Sequence, residues 1–564
     1  MHDIVIKNGT IIDGSGEERF VGDIAIDGSR ISKIGSVTDE AKQTIDATGK
    51  LVTPGWVDIH THYDGQATWD PIMGPSSWHG VTTVVMGNCG VGFAPVRPGS
   101  EQFLIELMEG VEDIPGSALA EGIDWQWESF PEYLDALEKF PRTLDVAAQV
   151  PHGAVRAYVM GGRCNGDEDP SAYEIEQMQQ LVREGIKAGA LGFSSSRTLL
   201  HKDVHGEYVP GTFAGSDEML QLGLSMKGLD HGVFEMVSDN LGDDDEWQWV
   251  KQFARETGKK VTLIATSAAA YENGKLYRIA EEARKEGIEI LPQMAGRPTG
   301  VLHGLQSSFH AFIGHPTYRS EIEHLPLDEK VRKMKNPNTR VKILAEESGI
   351  KSAILGSMDQ LMKRVFPLGE IPNYEPDYEE SVAGIAESQG RAPLEVMYDL
   401  LVADEGKELF YQPLGGYSNY NLEAQRKLMQ HPNVIMGLSD GGAHCGVIAD
   451  AGMPTFIMVH WGRDRTKGET LPLEFIVQSL TSKTADTFGM KDRGLLQEGL
   501  LADINIIDFD RLRLFRPEAI YDLPTGGKRL VQRVEGYDYT IKSGEFTFDH
   551  GEHTGKLPGR LVRG

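Results

Sequence analysis

Short apolar runs alternate with polar positions at both ends of the chain, whereas the middle alternates apolar strands with amphipathic helical stretches. Near the N-terminus, Ile4-Val5-Ile6, Thr10-Ile11-Ile12, Asp23-Ile24-Ala25-Ile26 and Ile31-Ser32-Lys33-Ile34 are β-branched runs. Asn8-Gly9, Asp13-Gly14 and Asp27-Gly28 separate them, and such pairs favour tight hairpins. Near the C-terminus, the stretch from Ala502 to Asp508 alternates again, followed by Val531-Gln532-Arg533-Val534 and Glu545-Phe546-Thr547-Phe548. Both β-rich ends together predict one small β domain, made of residues 1–53 and 491–564.

From 54 to 490 the pattern changes. Strands are predicted at Thr82 to Met86, Val146 to Val150, Ala190 to Phe193, Gly232 to Val237, Lys260 to Ala265, Glu289 to Gln293 and Val434 to Leu438. Helices are predicted at Ala172 to Ala188, Asp244 to Glu256, Lys275 to Glu286 and Leu473 to Thr481. Strand–helix repetition on this scale predicts an α/β fold with a parallel sheet, and its length suits a TIM (β/α)8 barrel with insertions. A doubly wound sheet fits less well, since no Gly-X-Gly-X-X-Gly opens a helix after the first strand. Segments 97–140 and 300–380, rich in Pro, Gly and acidic residues, are the expected insertions over one barrel face.

Bulk properties narrow the function. The 564 residues exceed one ordinary core, so a large and a smaller domain are expected. Hydrophobic residues at 40% and charged residues at 25% are ordinary for a soluble globular protein. A net charge of −29, without a Lys/Arg cluster, argues against a nucleic-acid partner. Three cysteines, Cys89, Cys164 and Cys445, are too few and odd for a disulfide framework, which points to a reducing, cytoplasmic compartment. The first residues read as a strand rather than a signal peptide, and no apolar run approaches the ~20 residues of a membrane span. The expected partner is a small-molecule substrate, with homo-oligomerisation left open.

Candidate chemistry starts at Val57-Asp58-Ile59-His60-Thr61-His62-Tyr63-Asp64, after the breaker Pro54-Gly55. Read as a strand, this places His60 and His62 on one face, an arrangement suited to a divalent metal. An isolated His-X-His more often marks surface histidines, but here Asp64 follows and Cys89 closes the next strand. Ser439-Asp440-Gly441-Gly442-Ala443-His444 closes the last strand. In a TIM barrel, function collects at such strand ends. An aspartate there can both touch a metal and take a proton from its water.

These same segments carry a resemblance. The stretch Pro54 to His62 resembles the opening strand of the amidohydrolase superfamily, and His79 to Gly90 resembles its N-acyl-D-amino-acid deacylase (D-aminoacylase) branch. Ala188 to Ser195, Asp492 to Leu496 and Gly551 to Arg560 are similar to that branch as well. The resemblance implies a TIM barrel with a small β-sandwich formed by both termini. It places the branch's cysteine ligand on Cys89, its first-strand histidines on His60 and His62, and its catalytic aspartate on Asp440. It implies a metal-dependent hydrolase of amide bonds in N-acyl amino acids.

The chain also departs from that pattern. The family takes two further histidine ligands from middle strands, which here read Gly232 to Ser238 and Val261 to Ser267 and contain none. Glu235, His444 and His152 are the candidate replacements. With two ligands missing, one ion is favoured over two. Zinc is the expected metal, since nitrogen and sulfur donors suit it. Arg197 and Arg297, near strand ends, are candidates for a substrate carboxylate, with solvated surface arginine as the plainer reading of each. Two alternatives stay open. One is a mononuclear or metal-free site acting on a cyclic amide, ester, lactone or activated C–C bond, and the other is a non-catalytic binding scaffold.

Overall fold

Eight parallel strands form one sheet in chain order: Trp56–Asp58, Val81–Met86, Asp145–Pro151, Gly192–Arg197, Val233–Ser238, Val261–Ile264, Ile290–Met294 and Ile435–Met436. The computed structural model describes residues 1–265, 274–349, 358–417 and 419–564; Thr266 and Ser267, the last residues of the stretch Val261 to Ser267, lie outside them. The sheet curls so that its edges meet. Asp440 N–H donates to the His60 carbonyl and His62 N–H to the Gly441 carbonyl, at 3.1 and 2.8 Å. Closing the sheet satisfies edge groups that would otherwise be left unpaired.

Strands two and three are buried at every residue, as expected when side chains face either the barrel interior or a covering helix. The interior is layered. Val57, Val85, Ala147, Val233 and Ile435, from five different strands, share an apolar cluster with Phe488 and Met490. Two residues further along the strands the interior turns polar: Gln149 donates to Asn88, and Gln293 donates to the Thr262 hydroxyl. Glu235 follows Val233 by two and therefore points into the barrel. The fold thus carries an apolar floor beneath a polar upper layer, and the candidate residues gather above it.

Residues from both termini share a nine-stranded sheet, in which Leu51–Pro54 pairs antiparallel with Ile504–Ile507. Its core holds Ile6, Ile24, Ile26, Val52, Ile504 and Ile541. The Asp27-Gly28 hairpin forms as predicted, but Asn8-Gly9 does not turn the chain. His2–Ile11 runs through as one strand, and Asn8 at φ 60° makes a bulge where the register shifts between Ile6 and Gly9.

Two of the resembling segments, Asp492 to Leu496 and Gly551 to Arg560, meet at the bottom of the barrel. Asp145, at the start of the third strand, accepts hydrogen bonds from Arg493 at 2.5 Å and from the Arg560 amide at 2.7 Å. Lys542 lies 3.0 Å from the same carboxylate. These contacts fasten the terminal β region to the barrel floor.

Both insertions carry more structure than their composition suggests. The first contains helices Glu101–Glu112 and Gly116–Gly122. The second extends to Pro413, because Phe410–Pro413 pairs antiparallel with Gly300–His303. It has a hydrophobic core of its own, including Phe312, Tyr318, Met334, Tyr398 and Phe410. Among the described residues, no helix is long and apolar enough to cross a membrane.

Candidate metal centre

The first barrel strand ends at Asp58, and His60 and His62 lie just beyond it, where the chain bridges to the last strand at Thr61 and Gly441. Their rings stand 5.4 Å apart, edge to face. Cys89 follows the second strand, with φ 55°. The ligand atoms of His60, His62 and Cys89 lie within 4.8 Å of one another, and all three residues are buried. Asp440 joins them: its Oδ1 is 3.6 Å from His60 Nε2 and 3.9 Å from His62 Nε2. Cys89 Sγ is 3.5 Å from His60 Nε2. Metal–ligand bonds of about 2.0–2.3 Å at tetrahedral angles place donor atoms ~3.4–3.7 Å apart, so this spacing suits a zinc-sized cation.

Backbone conformation supports the same location. Cys89, Asp440 and His444 adopt φ of 55°, 49° and 50°, and Leu438 adopts 61°. Non-glycine residues in this region cost on the order of 1 kcal/mol or more each and concentrate at functional sites.

Electrostatics also asks for a cation. Burial raises the Asp440 carboxyl to about 8, with the Asp450 and Asp58 charges adding to the effect. Burial raises Glu235 to about 8, against a lowering hydrogen bond from the Cys89 amide. Asp64 rises to about 7 by burial, and its Oδ2 has no hydrogen-bond partner. Glu112 and the Cys89 thiol are pushed well up, first by burial and then by the other acids of the cluster. Among the described residues, no Lys or Arg forms an ion pair with Glu112, whose only close basic neighbours are the imidazoles of His62 and His444. A divalent cation would reverse these shifts, because it supplies the positive charge that the side chains lack. The histidines are suited to ligation, as burial lowers His60 to about 4 and His62 well below its ordinary value, leaving both neutral.

The ring orientation of His60 is set from behind. Its Nδ1 lies 2.9 Å from Gln293 Oε1, so Nδ1 carries the proton and Nε2 faces Cys89 and Asp440 with its lone pair. The ring is therefore ready to ligate.

The other candidates lie as follows. Glu235 points into the barrel beneath Cys89, accepting from its amide at 3.0 Å, and its second oxygen has no partner. His444 is at the site's open side, with 28% of its side chain exposed. His152 is not brought to the centre as a ligand. One ring nitrogen is 2.8 Å from the Ser195 hydroxyl and the other 3.0 Å from Glu218, so neither is free to bind a metal. Both arginines depart from the predicted roles. Arg197 pairs with the buried Glu246, and Arg297 is 1% exposed, with its Nη2 2.9 Å from Asp450 and its guanidinium 3.7 Å above the Tyr374 ring. Neither is a solvated surface group, and each already faces a carboxylate that would compete with a substrate's.

Sequence reasoning missed Glu112 and Gln293. Glu112 ends a helix of the first insertion, where an acidic residue carries no signal of its own. Gln293 lies in a strand whose alternation marks it as inward-facing, but its role depends on where His60 ends up.

A family model described as the amidohydrolase family matches residues 43–548. D-aminoacylase of Alcaligenes xylosoxydans xylosoxydans is 26% identical, with 99% of this chain and 97% of that protein covered. N-acyl-D-aspartate deacylase of the same organism is 25% identical over 99% of this chain and 95% of its own length. Among solved structures, D-aminoacylase shares the fold over the whole of both chains, with a TM-score of 0.65 and 21% identity. The N-acyl-D-glutamate deacylase of Bordetella bronchiseptica, solved with zinc and a phosphonate inhibitor, matches equally completely, at 0.63 and 22%. With a matching model across most of its length, the chain belongs to the amidohydrolase family, and within it is similar from end to end to D-aminoacylases.

Proposed function

We propose that this protein hydrolyses the amide bond of N-acyl amino acids, of the D series as in its named relatives, at a single divalent cation held by His60, His62 and Cys89. The observation that carries this reading is the buried trio of neutral nitrogen and thiol donors beside Asp440, in a cluster of acids with which no Lys or Arg among the described residues pairs. Zinc suits that donor set. When bound, such a cation supplies Lewis acidity and lowers the pKa of water from ~16 toward ~7.

The chain's own residues do the rest. Asp440, 13% exposed and held in place by the bond between its amide and the His60 carbonyl, is placed to accept the proton of the attacking water. The same carboxyl then returns that proton to the leaving nitrogen, as a base turned acid. Leu438, Asp440 and His444 share the left-handed conformation that turns the loop's functional groups over the barrel mouth. Glu235 lies below the cluster, where its free oxygen is available as a further donor.

The test combines metal analysis with a paired substrate panel. Purified protein should contain about one equivalent of zinc and should release amino acid from N-acetyl-D-amino acids faster than from their L enantiomers. His60→Ala with His62→Ala should remove both metal and activity. Two tightly held equivalents would overturn the single-ion version. A metal-free protein without turnover on any N-acyl amino acid would sink the reading altogether.

A further inference from the structure

Helix Glu101–Glu112 belongs to the first insertion, and its last residue reaches the centre from outside the barrel. Glu112 is 1% exposed. Its Oε1 lies 3.3 Å from His62 Nδ1 and its Oε2 lies 3.5 Å from His444 Nε2. The His444 amide donates to the Glu112 carbonyl, so backbone and side chain hold the same two residues together. The next residue extends the contact, since Asp113 Oδ2 accepts from the Gly446 amide at 2.9 Å. An acid this deeply buried normally has a cationic partner or strong hydrogen bonds. Here the nearest groups are two imidazoles, one from each end of the barrel closure.

His62, like His60, has an oxygen behind its ring, but at a longer distance. His60 has Nε2 toward Cys89 and Asp440, and its Nδ1 toward Gln293. His62 has Nε2 toward Asp440, while its Nδ1 makes no hydrogen bond and has Glu112 Oε1 3.3 Å away, within reach of a small ring rotation. Metal-binding histidines usually present their second N–H to an oxygen that fixes the tautomer and the ring plane. A carboxylate does this more strongly than an amide, because the acceptor is charged.

We propose that Glu112 is the positioning carboxylate of this site: it holds His62 by Nδ1–H, leaving Nε2 free for the cation, and with its other oxygen holds His444 at the open side. The inference rests on the single-cation reading given above. The insertion is then part of the site rather than a cover laid on it. It supplies, from outside the barrel, support for the second first-strand histidine that Gln293 supplies for the first. His444 in this arrangement is held as a neighbour of the substrate space and is not a ligand.

Zinc affinity by chelator competition and the visible spectrum of the cobalt-substituted protein test this directly. Wild type, Glu112→Gln, Glu112→Asp and His444→Ala would be compared. Glu112→Gln preserves size, so a purely packing role would leave both readouts unchanged. The expected result is a 10–100-fold weaker zinc Kd in Glu112→Gln, with one equivalent still bound at saturation and an altered cobalt spectrum. Glu112→Asp, which keeps the charge, should recover part of that loss. His444→Ala should keep its zinc within about threefold of wild type. A Glu112→Gln Kd within twofold of wild type with an unchanged cobalt spectrum would overturn the proposal, and so would loss of the metal equivalent in His444→Ala. A wild-type protein that binds no divalent metal would overturn the single-cation reading first, and this proposal with it.

Discussion

His60 Nδ1 and Gln293 Oε1 are 2.9 Å apart, joining the first barrel strand's end to the interior of the seventh strand. Gln293 is itself fixed by donating to Thr262 Oγ1 at 3.2 Å, which orients its oxygen toward the imidazole. Removing that acceptor frees the His60 ring to rotate or to protonate at Nε2. Gln293→Leu is therefore expected to weaken zinc about 10–100-fold in a chelator competition, while Gln293→Glu should retain most of the affinity. Gly437 offers a second route to the same effect. A Cβ at 437 would sit 2.6 Å from Gln293 Oε1, so Gly437→Ala should push the amide off His60 and lower zinc affinity. Equal affinity in all three variants would show that Gln293 does not orient the ring.

That relationship shows what the sequence could and could not convey. Period-two and period-3.6 patterns depend on neighbours a few positions apart, so the barrel strands and helices Ala172–Lys187, Asp244–Thr257, Lys275–Lys285 and Leu473–Leu480 were legible. The proximity of His60, His62 and Asp440 was legible because strand ends of a barrel converge by construction. Gln293 and Glu112 were not. Their roles arise from contacts spanning 233 residues in one case and an insertion's path in the other. Asn8-Gly9 misled for a related reason, because a local turn signal serves equally as a bulge when the strand continues on the far side. The arginines were misread because burial of Arg297 depends on Tyr374 and Asp450, both brought to it by the fold.

Asp440 separates proton transfer from ligation. Asp440→Asn keeps the side chain's shape and removes its basicity. Turnover on the best N-acyl amino acid is expected to fall about 10²–10⁴-fold, with zinc content unchanged and the melting temperature close to wild type. Metal analysis and kcat on the same preparation decide the assignment. Zinc lost together with turnover would make Asp440 an essential ligand instead.

Asp145 is expected to be among the most sensitive positions outside the site. It is 3% exposed and meets Arg493 and Lys542, which are themselves buried. Taking away one acid from such a group leaves cations buried without full compensation, at about 3–5 kcal/mol. Asp145→Asn should lower the denaturation midpoint by that much and unlink the C-terminal segment, exposing the chain around Arg560 to protease. A loss below about 1 kcal/mol with no new cleavage would show that the cluster does not couple the two regions.

Glu218 supplies a pH dependence distant from the metal. Burial alone would raise its carboxyl, but the hydrogen bond from His152 and then the Arg156 guanidinium outweigh this and hold it at about 2. The unfolded chain returns it to about 4.5. Because the folded value is the lower one, the folded state binds fewer protons. The stabilisation is complete above pH ~4.5 and drains away as pH falls toward 2. A depression of this size corresponds to on the order of 3 kcal/mol at neutral pH. Glu218→Gln has no such proton to gain. It should be less stable than wild type by roughly that amount at pH 7, and the gap should close as pH falls from 4.5 to 2. Urea denaturation of both proteins at a series of pH values measures the gap, and a gap that stays constant with pH would show that the carboxylate's charge is not what holds His152 and Arg156 in place.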